Sequence, residues 1–295
     1  MATESMGGVL MLAGIGAVLV LALIVVLSGA WNIGADDSGL VVKRFGPELA
    51  SGRFIAVNGE AGYQGRMLMP GWYFGLWRWK YAVEKVPVVV VKPGEIALVV
   101  AADGAPIPTE RVLGKAVPCD NFQDAEAFLR GGGERGRQSA FLTAGTYRIN
   151  PAVFEIVTAQ TAKNYGLQPS DLRVAEIPPD RIGIVTTLDG QPIQSGDLAG
   201  PMVTGHDSFQ RPQAFIDGGG CRGLQEDVLL SGAWNLNPWF VHVEQVPLVE
   251  VPIGYVGVVV SYVGREHVDV SGESFTHGDL VERGRKGVWV EPLLP

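Results

Sequence analysis

The pattern G-x-Q-x-x-x-L-x-x-G-x-aromatic occurs three times in this chain, starting at Gly62, Gly136 and Gly223. It sets Gln64, Gln138 and Gln225 in correspondence, then Leu68, Leu142 and Leu229, then Gly71, Gly145 and Gly232. A fourth copy opens as GVWVEPLLP at Gly287 and breaks off at Pro295, where the turn glycine is expected next, so the sequence reads as interrupted inside a repeat. Self-similarity of this kind predicts small modules that each pack on their neighbours, and it constrains the fold more than any single element does.

Each copy follows a strand-like opening: SGLVVKRFGPE from Ser38, PGEIALVVAADGAPI from Pro93, PDRIGIVTTLDGQPI from Pro179 and IGYVGVVVSYVGREH from Ile253. β-Branched residues running into a Gly turn, such as Asp103-Gly104 or Asp189-Gly190, predict a strand entering a hairpin. Asp120 and Asp207 are expected to cap short helices over Phe122–Arg130 and Phe209–Asp217, which the glycine runs then end. Strands follow at Ser139–Leu142 and Glu226–Leu230, then at Ala152–Val157 and Trp239–Val246. The residues between Val157 and Ile177 are an insertion present only in the second unit. With Gly at 40 of 295 positions, about twice the usual share, many turns and short strands are expected.

The other dominant feature lies at the N-terminus, where no charged residue occurs from Ser5 to Ala35. Residues 7–31 as a helix measure about 35 Å at roughly 1.5 Å per residue, enough to cross a hydrocarbon core of about 30 Å. A cleaved signal peptide fits less well: the preceding MATESM has no Lys or Arg, and the apolar run exceeds the usual length. A retained anchor is expected, with Trp31 at the membrane–water boundary. Lys43 and Arg44, with Arg53 just beyond, lie on its C-terminal side, so the bulk of the chain is expected in the cytoplasm.

The predicted fold class is therefore mainly β: one N-terminal transmembrane helix followed by tandem small antiparallel β modules with short helices. Residues 1–6 form a tail and 7–31 the helix; 38–92 form a membrane-proximal, Trp-rich unit 1. Residues 93–176 form unit 2 with its insertion, 177–251 unit 3, and 252–295 the start of unit 4.

A net charge of −8 without a basic run excludes a nucleic-acid partner, because phosphate binding needs a basic footprint. Two cysteines, Cys119 and Cys221, demand neither a disulfide scaffold nor a multi-cysteine metal site. G-x-G-x-x-G occurs at Gly131–Gly136 and Gly218–Gly223, but a helix precedes it and a strand follows, the reverse of a dinucleotide fingerprint. No cofactor is expected. His206, His242, His267 and His277 have no ligand spacing, Cys119 and His206 fall at equivalent repeat positions, and no G-x-S-x-G nucleophile elbow occurs. The chain is not expected to be an enzyme.

The densest local feature is the aromatic cluster Trp72, Tyr73, Phe74, Trp77, Trp79 and Tyr81. Alternate members either fill the core of unit 1, or the unit lies on the bilayer with Trp and Tyr at headgroup level and Arg78, Lys80 and Lys85 among the phosphates. The second reading makes Trp31, Trp72, Trp77, Arg78, Trp79 and Lys80 the membrane-interface residues.

The openings P-G-E-I-A-L-V-V and P-I-G-Y-V-G-V-V-V, with L-x-P-G-x-Y at Leu68 to Tyr73, resemble the start of SPFH (band 7) domains, shared by stomatins, prohibitins and flotillins. The segment FQDAEAFLRGGGERGRQSAFLTAGTYRINP looks like the repeated N-terminal region of bacterial flotillin-like proteins. The resemblance covers most of the chain after Ser38. The tandem layout is also similar to the stacked β repeats of major vault protein, and the long heptad-rich helix through which such proteins assemble is absent from this sequence. The resemblance implies a non-catalytic scaffold on the bacterial cytoplasmic membrane: one subunit of a large homo-oligomeric ring or cage that binds membrane lipids and organises microdomains or client membrane proteins. A membrane-tethered extracytoplasmic module that holds a glycan or protein is the reading from another class.

Overall fold

The computed structural model describes residues 15–20, 24–195, 197–262 and 287–291. They form a mainly β chain with few short helices, as the repeat pattern predicts. Residues 15–20 and 24–28 are helical, and among the described residues no helix is long and apolar enough to cross a membrane. The predicted span over 7–31 includes residues 7–14 and 21–23, which lie outside the described residues.

The first unit comprises β1 (Trp31–Ile33), β2 (Asp37–Lys43), β3 (Ile55–Ala56), β4 (Gly62–Gln64), β5 (Gly71–Tyr73) and β6 (Tyr81–Pro87). Its sheet has the order β3-β4-β2-β6, and β1 pairs with β5 as a separate ribbon. The second unit repeats this with β7 (Val89–Val91), β8 (Ala97–Ala101), α1 (Ala125–Arg130), β9 (Gly136–Leu142), β10 (Gly145–Tyr147) and β11 (Phe154–Val157). Here the sheet is β11-β8-β9 and the ribbon β7-β10. The third contains β12 (Ala175–Ile177), β13 (Arg181–Thr187), β14 (Gln191–Pro192), α2 (Pro212–Asp217), β15 (Cys221–Leu229), β16 (Gly232–Trp234) and β17 (Val241–Pro247), with sheet β14-β15-β13-β17 and ribbon β12-β16. Lastly, β18 (Gly257–Ser261) pairs antiparallel with β19 (Gly287–Glu291).

Register is shared across all four. Lys43, Ala101, Thr187 and Ser261 face Gly62, Gly136, Gly223 and Gly287 respectively. The recurring glutamine has one job: its side-chain Nε2 donates to two carbonyls of the turn entering the strand. Gln64 bonds Glu60 and Gly62, Gln138 bonds Glu134 and Gly136, and Gln225 bonds Cys221 and Gly223, all at 2.7–3.0 Å. An amide there, buried in Gln138 and Gln225, gives the turn's carbonyls donors.

The helices begin later than the sequence predicts. Asp124, not Asp120, caps α1, its Oδ1 accepting from the Ala127 N–H at 2.9 Å. Asp120–Phe122 instead form a left-handed turn with φ of 50°, 51° and 64°, and Asp207–Phe209 repeat it at 52°, 51° and 66°. Left-handed backbone costs most L residues roughly 1–2 kcal/mol, with Asp and Asn the best tolerated, so the cost falls mainly on Ser208 and the two phenylalanines. The turn aims Phe122 and Phe209 into the core, where they meet Phe154 and Phe215 at ring-centroid distances of 5.2 and 5.5 Å. The glycine run ends α1 at Gly131, which caps it. Two residues on, a Cβ at Gly133 would lie 2.5 Å from the Phe128 ring, and at Gly220 2.1 Å from the Phe215 ring. Only glycine lets the ring pack flat on the returning chain. The insertion after Val157 is no loose loop: its 3-10 turns at Ala162–Tyr165 and Pro169–Leu172 bury Ala162 and Leu172 in the core shared with unit 3.

The cores lie between units rather than inside them. Ala97, Val99 and Ala101 on one face of β8 join Ile55 of unit 1, whereas Ile96 and Leu98 on the other join Phe209 and Phe215 of unit 3. Two polar staples recur at the junctions of units 1 and 2 and of units 2 and 3. Asp103 Oδ2 accepts from the Phe54 and Ile55 N–H groups of unit 1, both at 2.9 Å. Asp189 Oδ2 accepts from Leu113 N–H and Arg111 Nε of unit 2, both at 3.1 Å. Asn150 Nδ2 donates back to the Gln64 and Gly65 carbonyls, and Asn237 Nδ2 to those of Gln138 and Ser139, at 2.9–3.2 Å. Asn237→Ala strips partners from two buried carbonyls and, through Oδ1, from the Trp239 N–H. It is expected to lower the unfolding free energy by about 2–3 kcal/mol in denaturant titrations; a loss under about 0.5 kcal/mol would remove the staple from the account.

Candidate membrane interface

Units 2 and 3 each turn a staple-bearing end toward the preceding unit, and at the same end of unit 1 Gly29 meets Leu76 and Trp77. Both staple positions are altered there. Phe45 stands two residues after Lys43, where Asp103 follows Ala101 and Asp189 follows Thr187, each just before a glycine. Trp77 stands where Asn150 and Asn237 do: its carbonyl accepts from Lys80 and Tyr81 N–H groups at 2.8 Å, as Asn150 accepts from Val153 and Phe154, and Asn237 from Phe240 and Val241. The helix and left-handed turn of the other units are also missing, since only 18 residues separate β2 from β4.

What replaces them is an aromatic collar. Trp77 and Trp79 stack at 6.3 Å with rings 13° apart, Trp72 and Phe74 stack at 6.3 Å, and Phe45 lies 6.4 Å from Trp79. Trp72, Phe74 and Trp79 are 66%, 62% and 63% exposed, so they do not fill the core of unit 1. Tyr73 and Tyr81, on the strands, are half-buried. Trp31 is half-buried opposite Tyr73 in the β1–β5 ribbon; its Nε1–H donates to the Leu76 carbonyl at 2.7 Å, and the Arg78 guanidinium lies 4.5 Å above its ring. Lys80 Nζ sits 5.5 Å from the Tyr81 ring. Lys85 lies along β6 next to Glu84, opposite Gly39.

The collar meets the chain just after helical residues 24–28. Leu76 N–H donates to the Gly29 carbonyl at 3.2 Å, and a Cβ at Gly29 would lie 2.9 Å from the Trp77 indole. Trp31, Trp77, Arg78 and Trp79 are thus gathered where the N-terminal segment enters the first sheet.

Of the remaining chemical groups, His206 and Cys119 are occupied in the fold. His206 is buried with Nδ1 accepting from the Phe209 N–H at 2.7 Å, and its Nε2 is 3.9 Å from Asp227. At the equivalent position the Cys119 thiol is pushed above its ordinary range by burial, a rise opposed by its hydrogen bond with the Phe122 backbone. Cysteine and histidine therefore share one task, accepting from the amide of the left-handed Phe, which pairing by chemistry alone does not suggest. Cys221 is buried and His242 exposed; His267 and His277 lie outside the described residues. Among the described residues no group of His, Cys, Asp and Glu could hold a metal ion. A cleft of about 760 Å³ between units 1 and 2 is lined by Met67, Met69, Tyr73 and Phe74 on one side and by Asp120 and Asp124 on the other.

Sequence reasoning missed Asp103, Asp189, Asn150 and Asn237 as staples, and Phe45 as part of the collar. The signal was the repeat alignment itself: D-G and N-P recur in units 2 and 3 and give way to Phe45-Gly46 and Trp77-Arg78 in unit 1. Comparison with protein-family models, curated proteins and solved structures gives no match. Trp31→Phe keeps a ring under Arg78 but loses the bond to Leu76, so thermal unfolding in detergent should show a loss of about 1 kcal/mol, with a larger loss for Trp31→Ala.

Proposed function

We propose that this protein is a non-catalytic membrane scaffold of the SPFH (band 7) type. Residues 7–31 cross the bacterial cytoplasmic membrane once, and the tandem β units extend into the cytoplasm. The chain is one subunit of a large homo-oligomeric assembly that gathers lipids and partner membrane proteins. The observation that carries the reading is the altered end of unit 1. Where units 2 and 3 present an Asp and an Asn to a preceding unit, this one presents Phe45 and Trp77 with exposed Trp72, Phe74 and Trp79 around them. A terminal unit of a stacked array in water needs a polar outer face. An aromatic face beside an uncharged N-terminal run suits the headgroup layer instead, where indole and phenol rings partition.

Scaffolding is supported by the interlocked units. Their cores are completed only by neighbours, and such modules in adjacent subunits can pack side by side. The mass and symmetry of the detergent-extracted complex test this: a closed assembly of many subunits is expected, and a monomer would contradict it. Orientation needs an added reporter, because Cys119 and Cys221 are both buried. Ser195→Cys, in an exposed turn, should react with a membrane-impermeant maleimide only after permeabilisation. Reaction in intact cells would place the units outside and favour the extracytoplasmic binding module.

A further inference from the structure

The aromatic end of unit 1 is also its basic end, in a chain whose net charge is −8. Residues 38–47 and 61–83 contain Lys43, Arg44, Arg66, Arg78 and Lys80 and no carboxylate. Two of the five are committed elsewhere. Lys43 Nζ donates to the Gly59 carbonyl, and Arg66 lines the cleft opposite Asp120 and Asp124. The other three surround the collar. Arg44 N–H donates to the Lys80 carbonyl at 2.9 Å, Phe45 and Trp79 meet beside that bond, and Arg78 covers Trp31. Among the described residues none of the three forms a salt bridge.

These charges are not demanded by the fold. At the positions equivalent to Arg44, Arg78 and Lys80, unit 2 has Ala102, Pro151 and Val153, and unit 3 has Leu188, Pro238 and Phe240. All six are apolar. The basic residues belong to unit 1, together with the aromatics that stand at its two staple positions.

We infer that the collar is an anionic-phospholipid docking surface, with Arg44, Arg78 and Lys80 holding lipid phosphates while the indoles sit between headgroups. This rests on the membrane reading above. Guanidinium groups match phosphate oxygens in bidentate geometry, and a basic side chain at an anionic bilayer surface is worth roughly fivefold in affinity. Phosphatidylglycerol and other lipids with a net negative headgroup are therefore selected over zwitterionic ones.

The full chain reconstituted in phosphatidylcholine vesicles tests this, with trace spin-labelled phosphatidylglycerol or phosphatidylcholine reporting by electron spin resonance which lipid is immobilised at the protein. At low salt the wild type should favour phosphatidylglycerol by roughly fivefold or more, and Arg44→Gln/Arg78→Gln/Lys80→Gln should favour neither. Equal association in the wild type, or a preference that the triple variant retains, overturns the inference. If the variant misfolds, as its circular dichroism would show, salt decides on the wild type: a preference that persists at about 0.5 M also overturns it. Boundary lipid without preference sinks this inference alone, whereas no boundary lipid with either label sinks the membrane reading beneath it.

Discussion

Strand β8 is buried on both faces, and the rest of the architecture follows from that. Its odd positions, Ala97, Val99 and Ala101, close a core with unit 1, and Ile96 and Leu98 close a second with unit 3. A strand in that position reads as a continuous apolar run, which is why PGEIALVVA lacks the polar–apolar alternation of a half-solvated sheet. Fully burying a large apolar side chain contributes roughly 1.5–3 kcal/mol, so each junction draws most of its stability from residues of two units at once. The Asp and Asn staples add direction to this non-directional packing. They fix which end of one unit meets which end of the next, since a buried carbonyl or amide left unmatched costs about 1–3 kcal/mol.

An array built this way has an end that must be covered or changed. In unit 1 it is changed: the two polar contacts become Phe45 and Trp77, the helix is dropped, and the chain that would enter a preceding unit runs instead from helical residues 24–28 through Gly29, against which Trp77 packs. If the proposed anchor spans the bilayer, stack and anchor are one structure, with the positions that bind a neighbouring module in units 2 and 3 turned in unit 1 toward the membrane. The short passage from residue 28 to β1 at Trp31 leaves little freedom between them.

Much of this was legible in the sequence, for a physical reason. Register, turn glycines and the recurring glutamine are local requirements of each unit, so they recur at fixed spacing in Gly62, Gln64 and Leu68 and their counterparts. What stayed hidden depends on contacts between units or on unusual backbone. Asp103 looks like a hairpin turn residue, and only its bonds to Phe54 and Ile55 reveal the staple. Asp120 looks like a helix cap, yet three consecutive left-handed residues intervene and bring Phe122 to Phe154; Asp120 and Asn121 tolerate that backbone, but nothing local predicts it for Phe122. Cys119 and His206 look unrelated until their shared acceptor role is seen. The insertion after Val157 reads only as extra length in unit 2, although Ala162 and Leu172 plug a core.

The central claim, that the first unit ends in a face built for the bilayer, is tested most directly by the depth of its indoles. In vesicles holding the full chain, with Trp234, Trp239 and Trp289 replaced by Phe, fluorescence of Trp31, Trp72, Trp77 and Trp79 is quenched by lipids brominated at different acyl positions. The account predicts strongest quenching by bromines nearest the headgroup and protection from aqueous iodide. Free access of iodide to Trp72 and Trp79, with no response to any brominated lipid, would contradict it.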